Sequence, residues 1–287
     1  TPTLALQIND RHTVGASLVI GAQRFSARGL GNFQCLTSDV QSNIVNNPSC
    51  GTVGYPDIPS DGLTDNNSDI TYGAGVRVGW IGEITPSVIL GATFASKVYM
   101  KEFDDYDNLF AEQGDFDIPA NFGIGATFKA TPKLNLSFDF QRILYEDVNA
   151  ISNPGPVFSA SGPAPNPPTT GFLGADNGLG FGWEDINVYH VGLEYFHDNS
   201  WTFRAGFALN DQPIPNSEVL FNILAPAVIE KHATVGFTFQ PDESSEWNFA
   251  YLHAFEEKLT DNATAFGVPA SIEMYQNSVD VSYSKKF

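Results

Sequence analysis

The sequence predicts an all-β, transmembrane antiparallel barrel with up-and-down connections. Three observations carry that reading: apolar and polar residues alternate with a period of two, short and long connections take turns, and no apolar run suits a transmembrane helix. The chain has 287 residues, of which 13% are aromatic and 16% charged, against the usual quarter charged in a soluble domain. Mean hydropathy is −0.13. A helix crossing a bilayer needs roughly 18–20 apolar residues, whereas a barrel strand turns only alternate residues to lipid and stays near neutral on average.

Strand patterns begin near Leu4 and Val14, and the first strong one follows Tyr72. There Tyr72, Ala74, Val76, Val78 and Trp80 share one face, and Thr71, Gly73, Gly75, Arg77 and Gly79 the other, the mark of a half-buried strand. Patterns near Val88 and Phe122 lead to Leu134, Leu136, Phe138 and Phe140, which alternate with Asn135, Ser137, Asp139 and Gln141. A strand from Asn187 precedes the alternation of Trp201, Phe203, Ala205, Phe207 and Leu209 with Thr202, Arg204, Gly206, Ala208 and Asn210. Another starts near Ala233. Trp247, Phe249, Tyr251, His253 and Phe255 then oppose Asn248, Ala250 and Glu256. The last strand carries Tyr275, Val279, Val281, Tyr283 and Phe287 on one face, and a terminal Phe there looks like the signal read by barrel-assembly machinery. About eleven strands result, many near the 9–11 residues that cross a bilayer at a tilt.

Short connections are expected at Asn9 to Arg11, Gly82 to Pro86, Ala130 to Pro132, His197 to Ser200 and Gln240 to Ser245. Long ones run from Gly29 to Ser68, Lys101 to Asp117, Asp147 to Glu184, Asp211 to Ile229 and Leu259 to Ala270. Short periplasmic turns alternating with long outer loops are how outer-membrane barrels are built. Trp80, Trp201 and Trp247 lie toward the short turns and read as interface anchors.

A net charge of −19 argues against nucleic acid, which requires basic clusters. The acidic runs at Asp104-Asp105, Asp115 to Asp117 and Asp242-Glu243 fit a solvated surface, or loops meeting divalent cations beside lipopolysaccharide. Cys35 and Cys50 share a Gly/Asn/Ser/Pro-rich segment. One disulfide in an oxidising compartment or two unpaired thiols both suit that spacing. No metal or cofactor is expected, and no enzyme: the five histidines are scattered without a nucleophile at readable spacing. A lipid-face hydrolase would have to use His253.

Several segments resemble the FadL/OMPP1/TodX family of outer-membrane transporters for long-chain fatty acids and other hydrophobic compounds. They are Val76 to Pro86 (VRVGWIGEITP), Phe110 to Pro119 (FAEQGDFDIP), Asn210 to Ile214 (NDQPI), Leu220 to Pro226 (LFNILAP) and Phe249 to Phe255 (FAYLHAF). The resemblance implies a fourteen-stranded barrel with an N-terminal hatch. Placing the last strand here as the fourteenth makes the first the fourth. Residues 1–287 then form one barrel domain that lacks the hatch and three strands.

The resemblance further implies uptake of hydrophobic molecules, such as fatty acids, alkanes or aromatics, by a monomeric channel set in outer-membrane lipid and lipopolysaccharide. Two outer loops would form an apolar capture groove. One holds Phe33, Leu36, Ile44, Val53 and Tyr55; the other holds Phe103, Tyr106, Leu109 and Phe110, spaced as on one helix face. The alternative is that the loops pack on each other as a lid, and both can hold. On the polar strand faces, Arg77 or Arg204 could pair with a substrate carboxylate; otherwise the luminal charges are hydrated or mutually paired. A general diffusion porin and a structural or adhesive barrel are the rival readings.

Overall fold

Eleven strands run in sequence order through one antiparallel sheet, each paired with its neighbours along the chain. The computed structural model describes residues 1–39, 61–155, 171–262, 264 and 268–286. The strands are β1 (Thr3–Asn9), β2 (His12–Phe25), β3 (Asp69–Thr85), β4 (Val88–Ala95), β6 (Ala120–Thr131), β7 (Leu134–Leu144), β8 (Ile186–Phe196), β9 (Trp201–Asn210), β10 (Lys231–Asp242), β11 (Ser245–Asp261) and β12 (Ala270–Lys285). A two-residue strand, β5 (Tyr99–Met100), continues β4 beyond an irregularity and pairs with β3. The expected strand count and order hold. Among the described residues β1 and β12 do not pair with each other.

The short turns are closed by the side chains that favour turns. Asn9 Oδ1 accepts the backbone N–H groups of Arg11 and His12 at 2.9 and 3.0 Å. Thr85 and Thr131 each precede a proline and accept the N–H two residues on, from Ser87 and Lys133. Asp198 accepts from Ser200 and Trp201, and Asp242 from Ser244. β3, β6 and β10 continue into their turns further than the sequence suggests, to Thr85, Thr131 and Asp242.

The register keeps each apolar face in one layer. Val78 opposes Ala16 and Phe94, Phe138 opposes Ala126 and Val191, and Phe207 opposes Val191 and Ala233. Val76, Val78, Phe138 and Phe207 are all exposed on the outside of the sheet, as a lipid-facing wall requires. At the short-turn end Trp201 stacks on Phe239 at 4.5 Å and Trp247 meets Tyr283 at 4.6 Å, part of an aromatic girdle. One strand departs from its simple pattern. A bulge between Ala254 and Glu257 shifts the β11–β12 register and reverses which residues face inward. Glu257 then falls on the Ala254 face, and Glu256 leaves the face that the alternation gives it.

Candidate functional site

The inner surface of the sheet carries glycines, small polar residues and a few charges, and two of its cavities are neighbours. The larger, about 770 Å³, is lined by Arg77, Ile81, Asn121, Asp139, Gln141 and His190, among others. A second, about 460 Å³, shares Asp139 and His190 and adds His232 and Leu252.

The two arginines singled out from the sequence differ in what surrounds them. Arg204 is directly opposite Glu194 across β8–β9, and its Nε and Nη2 both lie 2.9 Å from Glu194 Oε1. Its Nη1 donates to Thr238 Oγ1 at 2.6 Å, and Thr238 donates onward to Asn248. Glu194 also accepts from Asn135. This network knits β7 to β11. Arg77 borders Ser17 on β2 and Ala95 on β4, neither of which offers a charge. Among the described residues its guanidinium has no hydrogen-bond or ion-pair partner, and it opens on the larger cavity.

Above the sheet the long loops fold into a lid with interiors of their own. Phe103, Tyr106, Phe110, Ala111 and Ala150 form one buried cluster, with Phe25 of β2, Leu109 and Phe116 packed against it. Leu36, Leu63, Leu173 and Leu179 form a second, flanked by Phe33, Leu109 and Phe221. Ile214, Val219, Val228 and Ile272 form a third. The Tyr106 hydroxyl accepts from Ala27 N–H at 3.0 Å and donates to Asn67 C=O at 2.7 Å.

All six loop residues chosen from the sequence therefore meet in the lid, but Leu36, Phe103, Tyr106 and Phe110 are its interior. Phe33 and Leu109 are only partly enclosed. No single helix aligns the second set. Asp104–Tyr106 is a 3₁₀ turn, and Glu112 and Gln113 adopt φ of 55°, a left-handed conformation that ends any helical run. Cys35 is disulfide-bonded, while its expected partner Cys50 lies outside the described residues, as do Ile44, Val53, Tyr55 and Phe287.

The alternation did not single out the acidic node at the lid's edge. Asp117 is buried, accepts Met100 N–H at 2.6 Å and pairs with Lys97 at 3.0 Å. Lys97 also donates to Asp147 C=O. Burial, with the charge and hydrogen bond of Asp117 beside it, pushes the Asp115 carboxyl up to about 7. The adjacent acids of the sequence were the available signal.

An antiparallel wall that is apolar outside, polar within and capped by folded outer loops defines a transmembrane β-barrel channel. Residues 1–285 match the family model for outer membrane protein transport protein (OMPP1/FadL/TodX), and the chain belongs to that family. It is accordingly a Gram-negative outer-membrane protein of a family of hydrophobic-compound transporters, not enzymes.

The long-chain fatty acid transport protein of Escherichia coli O6:H1 is 29% identical over 84 residues, covering 29% of this chain and 19% of that protein. The solved structure of the P. putida toluene transporter TodX matches with a TM-score of 0.58 at 18% identity, covering 99% of this chain and 67% of that one. The Ralstonia pickettii toluene transporter TbuX gives 0.58 at 17%, with 99% and 66% covered. The matched region thus spans about a fifth of the length of the curated relative and about two thirds of the solved chains. At these identities the solved structures bear on the fold alone.

Proposed function

We propose that this chain forms the wall and lid of a channel for hydrophobic molecules, including long-chain fatty acids. The outer loops capture them and they diffuse through the lumen. The observation that carries this reading is the larger luminal cavity. Its wall combines small and apolar surface, with Ile81 and Ile89, and a single guanidinium at Arg77 that no described side chain neutralises. An apolar tail can lie along the wall while a carboxylate meets the guanidinium fork. Arg204, held by Glu194, serves the wall and is the weaker candidate for substrate.

Capture is assigned to the partly enclosed rim of the lid, where Phe33 and Leu109 border the buried clusters. Phe103, Tyr106, Phe110 and Leu36 support that rim and take up ligand as it opens. The family and the relative named for long-chain fatty acid transport favour this substrate range over small polar solutes. Among the described residues β1 and β12 each pair on one side, and an open edge would leave backbone groups unsatisfied in lipid. We read their other sides as the places where the barrel closes with further strands.

The test is uptake by cells bearing the full-length protein, comparing oleate, a neutral alkane and a small sugar. Oleate and alkane should enter and the sugar should not. Rapid sugar entry with no saturable hydrophobic uptake would make the protein a general diffusion porin.

A further inference from the structure

The five histidines divide by their surroundings. His12 stacks on Trp80 with ring centroids 5.8 Å apart, His197 lies 3.8 Å from Asp198, and His253 Nδ1 lies 2.8 Å from Asn277 Oδ1. His190 and His232 make no hydrogen bond or ion pair among the described residues, and these two share the smaller luminal cavity.

The register explains both facts. Asp139, His190, Ala208, His232 and Ala254 occupy one continuous row across β7 to β11. Residues paired across a ladder share a face, so the two imidazoles stand on the same inner wall, two strands apart. At one strand spacing of about 4.8 Å per step, their backbones are about 10 Å apart. Only the methyl group of Ala208 lies between them, which leaves a gap the size of a polar head group. Asp139 would be expected to neutralise His190. Its carboxylate instead leans over Gly125 on the other side, into space that a Cβ at position 125 would fill.

We propose that His190 and His232 form a luminal station for an anionic head group, distinct from Arg77, that strengthens as the imidazoles gain protons. This rests on the reading of the lumen as a passage for hydrophobic molecules. Two N–H donors approach one oxygen-rich group from opposite sides, while Leu252 and the small residues of the wall accept the start of an apolar tail. Imidazole changes charge in the mildly acidic range, so the station holds an anion more tightly there and releases it nearer neutrality. The charged or titratable side chains lining the two cavities are Arg77, Asp139, His190 and His232. Of the strands around His232, β9 presents Ala208 and Asn210, β10 Thr234, and β11 Leu252 and Ala254, with Glu257 next on the Ala254 face and held by Lys231 at 3.6 Å.

The test is calorimetric binding to the full-length protein in lipid nanodiscs. The probes are decane-1-sulfonate, whose charge does not change with pH, and 1-decanol, which has the same tail and no charge. Sulfonate binding should strengthen roughly tenfold between about pH 7.5 and about pH 5.5, the worth of one charge-assisted hydrogen bond. The double variant His190→Asn/His232→Asn should lose that gain, with each single variant between. Arg77→Ala should weaken the sulfonate alike at both pH values and so keep the gain, because a guanidinium holds its charge throughout. Decanol should bind the native protein and every variant alike, which also reports that the barrel is folded. A pH gain that survives in the double variant, or no gain in the native protein, overturns the station. If decanol fails to bind the native protein, the hydrophobic-channel reading itself falls.

Discussion

In the lid Leu63, Tyr106 and Val219 are fully enclosed, whereas in the wall Val76, Val78, Phe138 and Phe207 remain 42–52% exposed. The same apolar residue types thus do opposite things in two parts of one chain. The lid excludes water in the manner of a small soluble domain, and its clusters follow the ordinary hydrophobic effect. The wall relies on lipid to cover its apolar side and on the ladder to satisfy its backbone. The difference implies that lid and wall respond to different substitutions and can be unsettled separately.

The largest separation should come from replacing Phe103, Tyr106 and Phe110 together with Ser. Removing one buried aromatic side chain costs roughly 3–5 kcal/mol. Three in one cluster couple and will not sum, but together they exceed what a lid of short turns can lose. Hydrogen exchange should rise sharply in 30–37 and 103–116 and stay slow in β6 to β11. Uptake at limiting substrate should fall as the capture rim loses its support. Slow exchange in the lid of this variant would show that the clusters do not hold it.

The wall should respond to charge. Phe138→Lys places an ammonium on the lipid face and should destabilise the barrel by roughly 2–4 kcal/mol if it lies near the bilayer midplane. Ser137→Lys, one residue away and facing inward, should cost far less. Chemical unfolding in lipid vesicles measures both, and equal losses would contradict the assignment of faces.

A finer contrast lies within the lumen. Arg204→Ala breaks its contacts to Glu194 and Thr238. Since both partners of the ion pair remain open to luminal water, the stability loss should be only about 1 kcal/mol, with little change in substrate affinity. Arg77→Ala should leave stability unchanged and weaken a carboxylate ligand by roughly 1.5–3 kcal/mol, or about 10- to 150-fold. A neutral alkane should not notice it. Equal weakening of the acid and the alkane would make Arg77 a structural residue.

Much of the wall was legible in the sequence because a sheet with lipid on one side and water on the other imposes a period of two on every strand. Turns were legible because Asn9, Asp198 and Asp242 and the Thr-Pro pairs are local devices whose partners lie within three residues. What stayed hidden depends on residues distant in sequence. Arg77 and Arg204 look alike along the chain, and only the register that sets Glu194 against Arg204 separates them. His190 and His232 fall on the polar faces of their strands, yet nothing in either strand alone says that they share a row. The Ala254/Glu257 bulge reverses a face without a local signal. In the lid the aromatic spacing marked residues that pack together but suggested a helix, since the left-handed turn at Glu112 and Gln113 is fixed by contacts distant in sequence. Backbone bonds from both residues to Ala175 and Gly174 hold it.

A last contrast is a pH dependence of the lid's stability. Asp115 is the group concerned, its carboxyl pushed up to about 7 first by burial and then by Asp117. In the unfolded chain the same group would titrate near the ordinary value of about 3.9. Between those two values the folded lid binds more protons than the unfolded one, so lid stability falls as pH rises from about 4 to about 7 and levels off above. The cause is burial of the Asp115 carboxyl, with the crowding of a second carboxylate beside it. Once Asp115 ionises it repels Asp117, and Lys97 is left to balance both. Asp115→Asn keeps a hydrogen-bonding side chain without the second charge, so it should hold the lid in its low-pH stability across that window. Hydrogen exchange of 111–117, corrected for the intrinsic pH dependence of exchange, reads the difference. The native lid should open more at about pH 7 than at about pH 5, and the variant should open equally at both. A variant that loosens in parallel with the native protein would move the response to another group, with Glu218 next in line, since burial raises its carboxyl too.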